Sequence, residues 1–240
     1  MKPPVPTLRI VGPGRAGLSL ADALARCGWT VAGTVGRGDD PRQAARGVDF
    51  VVIATPDDVI AHVAAQIVPE PETVVVHLSG SLGADILASH PRCAALHPLA
   101  TLPDRVVGAD ALAAGVWWAV EGDSSATAIV TTLEGRILRP HDRVAYHATA
   151  CVAANHVVAL MAQVERLAAA NGMPTEPFYE LAAAALSNAR RTGASRALTG
   201  PAARGDRDTL RRHVAALPES EHLLYETLAD AAAGEVLACR

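Results

Sequence analysis

Leu8-Arg9-Ile10-Val11-Gly12-Pro13-Gly14-Arg15-Ala16-Gly17-Leu18 sets the reading of the whole chain. Residues 8–12 have the composition of a short β-strand. Residues 18–27 follow with apolar side chains at Leu18, Ala21, Leu24 and Ala25, the recurrence that one face of a helix requires. Between them stands G-x-G-x-x-G. The first glycine of such a turn allows a tight bend, the second lets a ligand approach the backbone, and the third lets the helix pack closely on the strand. A structural glycine turn would show the same letters. The strand before it, the helix after it and a second strand beyond are the context that points instead to a diphosphate resting on a helix N-terminus.

Working outward, the next 120 or so residues alternate strand-like runs with helical patterns. Thr30-Val-Ala-Gly-Thr-Val35 reads as a second strand, and residues 49–55 as a third that is apolar almost throughout, as when both faces are covered. Residues 73–78, 94–97, 116–120 and 136–139 continue the series. Pro56-Asp57-Asp58 reads as a helix start with acidic residues in its first turn. After residue 140 the β-type runs stop. The segment 144–171, residues 176–191, residues 206–217 with Asp206 as a cap, and residues 219–237, which Gly234 is placed to end early, all read as helices. The expectation is therefore an α/β protein: an N-terminal doubly wound, mostly parallel sheet of dinucleotide-binding, Rossmann type over residues 1–140, then a small all-helical domain over 141–240.

Composition narrows the function. The chain has 240 residues, 21 basic and 25 acidic, so its formal charge is −4 and it carries no basic footprint for nucleic acid or an anionic membrane. Lys2 is the single lysine; the other 20 basic residues are arginines. An internal lysine for a Schiff base or for proton transfer is thereby excluded. Cys27, Cys93, Cys151 and Cys239 form no CxxC pair, which predicts reduced thiols and no metal site. The start MKPPVPTLRIVGPG reads as no signal peptide, and the most apolar segment, residues 148–164, is interrupted by Asn155, His156 and Gln163, so no membrane span is expected.

Candidate site residues follow from strand ends, because ligands of such sheets lie beyond the carboxyl ends of the strands. The glycine turn (Gly12, Pro13, Gly14, Arg15, Ala16, Gly17) would hold the diphosphate. At the end of the second strand, where an NAD site places a carboxylate, the chain has Gly36-Arg37-Gly38; Arg37 suits a 2′-phosphate and favours NADP over NAD, although Asp39 and Asp40 follow. Thr55, Pro56 and Asp57 would pass beside the cofactor. Ser79 and Ser81 could bind a substrate carbonyl or carboxylate. His97 could donate a proton or brace its loop, and His77, inside an apolar strand, reads as a satisfied core histidine. Tyr146-His147 reads as a helix start, from which His147, Cys151 and Asn155 recur at i+4 steps and suggest a polar cleft wall. In Leu198-Thr-Gly-Pro-Ala-Ala-Arg204-Gly-Asp206, Arg204 could clamp a substrate carboxylate.

Taken in order along nearly the full length, Gly12–Gly17, Pro56-Asp57-Asp58, Ser79-Gly80, His97-Pro98, Tyr146-His147 with Asn155, and Leu198-Thr-Gly-Pro with Arg204-Gly-Asp206 resemble the Rossmann-like/DUF2520 family. That family is related to the 6-phosphogluconate dehydrogenase C-terminal-domain-like superfamily. The resemblance implies an NAD(P)-dependent reductase whose helical C-terminal half also forms a dimer contact in many relatives. Some members resemble the PanG type of ketopantoate reductase, which makes a branched 2-oxo acid a plausible substrate. One departure stands out: the hydroxyacid dehydrogenase relatives use a helix lysine one turn before an asparagine, and here the residue one turn before Asn155 is Cys151.

The expectation that results is an NADP-dependent oxidoreductase that reduces the carbonyl of a small carboxylate-bearing substrate. His147 would donate the proton, with His97 as second choice. Asn155 and Ser79 would polarise the oxygen and Arg204 would hold the carboxylate. No metal, nucleic acid or membrane is called for, and a cytoplasmic homodimer is expected. The alternatives are an imine reductase of pyrroline-5-carboxylate reductase type and a non-catalytic NAD(P)-binding sensor or partner-binding protein.

Overall fold

The computed structural model describes residues 5–238; Lys2 and Cys239 lie outside them. Seven strands form one sheet: β1 (Thr7–Val11), β2 (Thr30–Val35), β3 (Phe50–Ile53), β4 (Val74–His77), β5 (Cys93–Pro98), β6 (Trp117–Gly122) and β7 (Arg136–Leu138). Their spatial order is β2-β1-β3-β4-β5-β6-β7. All neighbours are parallel except β5 and β6, which run antiparallel, with Leu96 opposite Val120. All seven strands coincide, within a residue or two, with those read from the sequence.

The period of two along each strand divides the core. Leu8 and Ile10 of β1, Phe50 and Val52 of β3, and Val74 and Val76 of β4 pack on one face with Leu20 and Leu24 of α1 (Arg15–Arg26). The alternate residues Val11, Val51, Ile53 and Val75 pack on the other, with Ile60 and Ala64 of α2 (Ile60–Gln66). Both faces are covered, which is why β3, and β4 up to His77, are apolar. The helices α3 (Arg105–Ala113) and α4 (Thr127–Thr132) join the first face, the former capped by Asp104. Fully buried Trp118 closes that core near β7.

The chain divides into two compact units, Met1–Ala154 and Asn155–Arg240. The sequence reading placed the break after residue 140. The first unit keeps α5 (Arg143–Cys151), capped by Asp142, because Arg143 reaches back to the backbone at Ser79. The helix thus starts at Arg143, not at the Tyr146-His147 pair.

Among the described residues the second unit contains only helices: α6 (Val157–Ala170), α7 (Glu176–Thr192), the single turns α8 (Ala194–Ala197) and α9 (Pro201–Arg204), α10 (Arg207–Ala216) and α11 (Glu219–Ala238). Asp206 caps α10 as its sequence suggests, accepting from the Thr209 N–H at 3.0 Å. Gly234 does not end α11, which continues to Ala238. Against the sequence expectation, Arg143–Ala170 makes one 28-residue helical stretch long and apolar enough to cross a membrane by length and composition. Within it, however, Gln163 is buried and bonds the Glu221 carbonyl, and Arg166 forms a bidentate pair with the Glu221 carboxylate (2.6 and 3.0 Å). Those are protein-facing contacts.

Candidate functional site

The turn after β1 is shaped by what its glycines cannot accommodate. Gly12 has φ +90°, and a Cβ there would lie 2.9 Å from the Ala54 backbone and from the Thr55 methyl. At Gly17 a Cβ would lie 2.7 Å from the Gly12 carbonyl oxygen and 2.8 Å from an Ile10 methyl, so this glycine lets α1 sit tightly on β1. Gly14 differs: nothing lies within 4 Å of its Cβ position. It opens on a cleft of about 670 Å³ lined by Gly12, Pro13, Arg37, Thr55 and Pro56.

Gly14 is also the cap residue of α1, which has no side-chain cap and no acidic residue in its first turn. Its first N–H groups and the positive end of its dipole therefore face the cleft without a built-in anion. The buried hydroxyl of Thr55 has no hydrogen-bond partner. Opposite, exposed Arg37 stands on the turn after β2, and the Asp39 carboxylate is turned onto the Gly36 N–H at 2.7 Å. The acid nearest the strand end is thereby occupied by its own loop. This arrangement fits a dinucleotide diphosphate at the amide-lined helix end, with Arg37 rather than a carboxylate at the ribose position.

Asp57 has partners within the protein that its sequence reading did not include. Its carboxylate accepts from the hydroxyls of Ser79 (2.6 Å) and Ser81 (3.0 Å), tying the turn after β3 to the turn after β4. The Ser79 hydroxyl also accepts from the Ser81 and Leu82 N–H groups, so it is fully engaged within the protein. His77 behaves as a core histidine. Its Nδ1 accepts from the Ser79 N–H at 3.1 Å, its Nε2 faces the Gly83 carbonyl at 2.9 Å, and burial lowers its pKa.

A second cluster gathers beyond β4 and β5. Tyr146 Oη lies 2.9 Å from His97 Nδ1, with the rings edge to face. The His147 ring stands edge to face on the other side of His97, 5.3 Å between centroids. Desolvation, then the charges of His147 and Arg143, push the His97 pKa down to about 4. The ring is therefore neutral near pH 7 and shares a hydrogen bond with the Tyr146 hydroxyl through Nδ1, which weighs against the imidazolium acid that the sequence offered as second choice. Burial raises the Tyr146 pKa.

His147 lies against Gly80, where any Cβ would overlap its ring. Its Nδ1 is buried without a partner, and its Nε2 lies 3.7 Å from Cys151 Sγ. His147 and Cys151 lie one turn apart on α5, and the helical path continues through a π-turn at Val152–His156 that carries Asn155. Asn155 and Arg204 belong to the helical unit, where Arg204 ends α9 before left-handed Gly205.

Arg143 and Tyr146 are members of the cluster to which sequence reading gave no role. Nothing local marks Arg143 among 20 arginines; only folding buries it. Tyr146 was visible as a neighbour of His147, but its partner His97 lies 49 residues away. Among the described residues no group of three or more His, Cys, Asp or Glu side chains is placed to hold a metal, and Cys27 and Cys93 carry free thiols.

Fold and glycine turn define a Rossmann-type α/β protein with a helical C-terminal unit. More particularly, residues 116–232 match the family described as "Domain of unknown function (DUF2520)". No curated protein matches it in sequence. Among solved structures it is similar to a Bacteroides fragilis protein provisionally named an NADP oxidoreductase: TM-score 0.80, 18% identity, covering 96% of this chain and 98% of that one. A Thermotoga maritima protein gives a TM-score of 0.70 at 20% identity, over 96% and 98% of the two chains. The 1-pyrroline-5-carboxylate reductase of Streptococcus pyogenes gives 0.63 at 11% identity, over 95% and 98%. At these identities the likeness establishes the fold.

Proposed function

We propose that the protein is an NADP-dependent oxidoreductase that reduces the carbonyl of a small carboxylate-bearing substrate, a 2-oxo acid. The observation that carries this reading is the uncapped N-terminus of α1 behind Gly14, open on the cleft that Arg37 borders. NADPH bound there would supply the hydride to the carbonyl carbon, leaving NADP⁺ and an alcohol whose oxygen has taken up one proton. The names of the similar structures support the same class.

The protein's own residues then have separable tasks. Amides at the start of α1 compensate the diphosphate, and Arg37 meets the 2′-phosphate with a charge-assisted contact. Asp57, through Ser79 and Ser81, fixes the two turns between cofactor and substrate. His147 is the proton donor in this reading, held by Gly80 on one side and His97 on the other. The reading includes a cytoplasmic homodimer. Large apolar side chains exposed on the helical unit, Val158 (66%), Leu181 (67%) and Leu223 (79%), support a subunit contact.

Fluorescence titration of NADPH and NADH into the wild type and Arg37→Ala tests the cofactor. NADPH affinity should fall about tenfold or more in the variant, the size of a lost charge-assisted contact, with NADH unchanged. Equal NADPH binding by both forms would overturn the assignment. A panel of 2-oxo acids, ketopantoate among them, and cyclic imines, scored by NADPH consumption, separates carbonyl from imine reduction. Cys151 at the position where hydroxyacid dehydrogenases carry lysine favours one further reading, a nucleotide-binding sensor; it predicts NADPH binding with no consumption by any member of the panel.

A further inference from the structure

Arg143 opens α5 with its side chain only 6% exposed. One of its donors is used: Nη2 donates to the Ser79 carbonyl at 2.7 Å. Nε and Nη1 are buried without any hydrogen-bond partner. The nearest carboxylate, Glu121, brings Oε2 no closer than 3.9 Å to Nε, and its Oε1 accepts from the Ala84 N–H at 3.1 Å. The other titratable groups felt around this guanidinium, His77, His97 and Tyr146, supply no anion near neutral pH.

A buried cation with unused donors is costly unless an anion satisfies it. The tie to Ser79 does not explain the arrangement, because one N–H suffices for it and a neutral amide could make it. A planar guanidinium with donors to spare matches a carboxylate in geometry as well as in charge. The group also stands beside His97 and Tyr146, on whose pKa values its charge acts.

We propose that Arg143 is the receptor for the substrate's carboxylate, a task the sequence had suggested for Arg204. The identity of that carboxylate as part of a 2-oxo acid rests on the reductase reading; the anion site does not. Oxalate is the probe, titrated calorimetrically into the full-length protein with and without NADPH. Wild type should bind it. Arg143→Lys, which keeps the charge and loses the fork, should bind at least tenfold more weakly, and Arg143→Met should not bind it measurably. Arg204→Ala should bind like wild type.

NADPH affinity should be the same in all four proteins, since the glycine turn is untouched. If Arg143→Met does not fold, the lysine variant carries the comparison. The proposal is overturned if wild type ignores millimolar oxalate, if Arg143→Lys binds as tightly as wild type, or if Arg204→Ala alone abolishes binding. Oxalate binding through Arg143 in a protein that takes no NADPH would leave this proposal standing and remove the reductase reading. NADPH binding with no oxalate site would do the reverse.

Discussion

The turn after β1 and the turns after β4 and β5 face ligand space from the same edge of one sheet, and they are made of different materials. The first is backbone: three glycines, a helix end and an open cleft, all within six residues of sequence. The second is side chains drawn from far apart. Asp57 meets Ser79 across 22 residues, Tyr146 meets His97 across 49, and Arg143 meets Ser79 across 64. The first has its packing satisfied and leaves the amides at the helix end and the Thr55 hydroxyl without partners. The second keeps buried polar atoms of Arg143 and His147 without partners. An anion site built from amides can be inherited as a spacing. A site built from side chains exists only when the sheet has brought its members together, and its unsatisfied atoms show what the protein alone does not supply.

The contrast can be broken at several points. The largest effect is expected in the second cluster. His147→Gln should lower the rate of substrate reduction about 10²–10⁴-fold, the range for loss of a proton donor, while NADPH binding is retained. Unchanged reduction of every accepted substrate would remove His147 from the role.

Next come the glycines, which separate packing from binding inside the first region. Gly17→Ala pushes a methyl against the Gly12 carbonyl and Ile10, and should cost about 1–3 kcal/mol in denaturant unfolding. Gly14→Ala enters open space with an ordinary φ of −82°, and should change stability by no more than ~0.5 kcal/mol. Yet it should weaken NADPH about tenfold or more by standing where the diphosphate must approach. Equal effects of the two substitutions on stability would contradict the division of labour.

The smallest effect is a pH dependence. In the unfolded chain His97 titrates near 6.5, and in the folded protein it is held to about 4. As pH falls through that window the unfolded chain gains a proton that the native state refuses, so stability is full above 6.5 and declines toward 4. His97→Gln should flatten the decline by on the order of 1 kcal/mol. Buried His77, shifted in the same direction, keeps some slope in the variant. Identical pH profiles of the two proteins would show that His97 is not held neutral.

Strands and helices were legible because their signals are local and periodic. The continuous apolar runs at residues 50–53 and 74–76 already required cover on both faces. Asp206 was legible as a cap for the same reason. What the letters did not show shares a cause. The π-turn at Val152–His156 leaves no signal in the sequence. Asp57 was read toward the cofactor because it follows a strand end, and its bonds to two serine hydroxyls join it to residues 22 and 24 positions away. Arg143 looked like any charged residue near a helix cap.

The letters alone, then, were enough for the α/β architecture, the switch to helices in the C-terminal half and the anion-accepting turn at Gly12–Gly17, because periodicity and glycine spacing act through bonds a few residues long. Folding was needed to choose among the polar side chains: to occupy Ser79, to hold His97 neutral, to seat His147 on Gly80, and to bury Arg143 with donors unused. Those properties arise from desolvation and from contacts between residues dozens of positions apart, and neither is encoded in any short stretch of the chain.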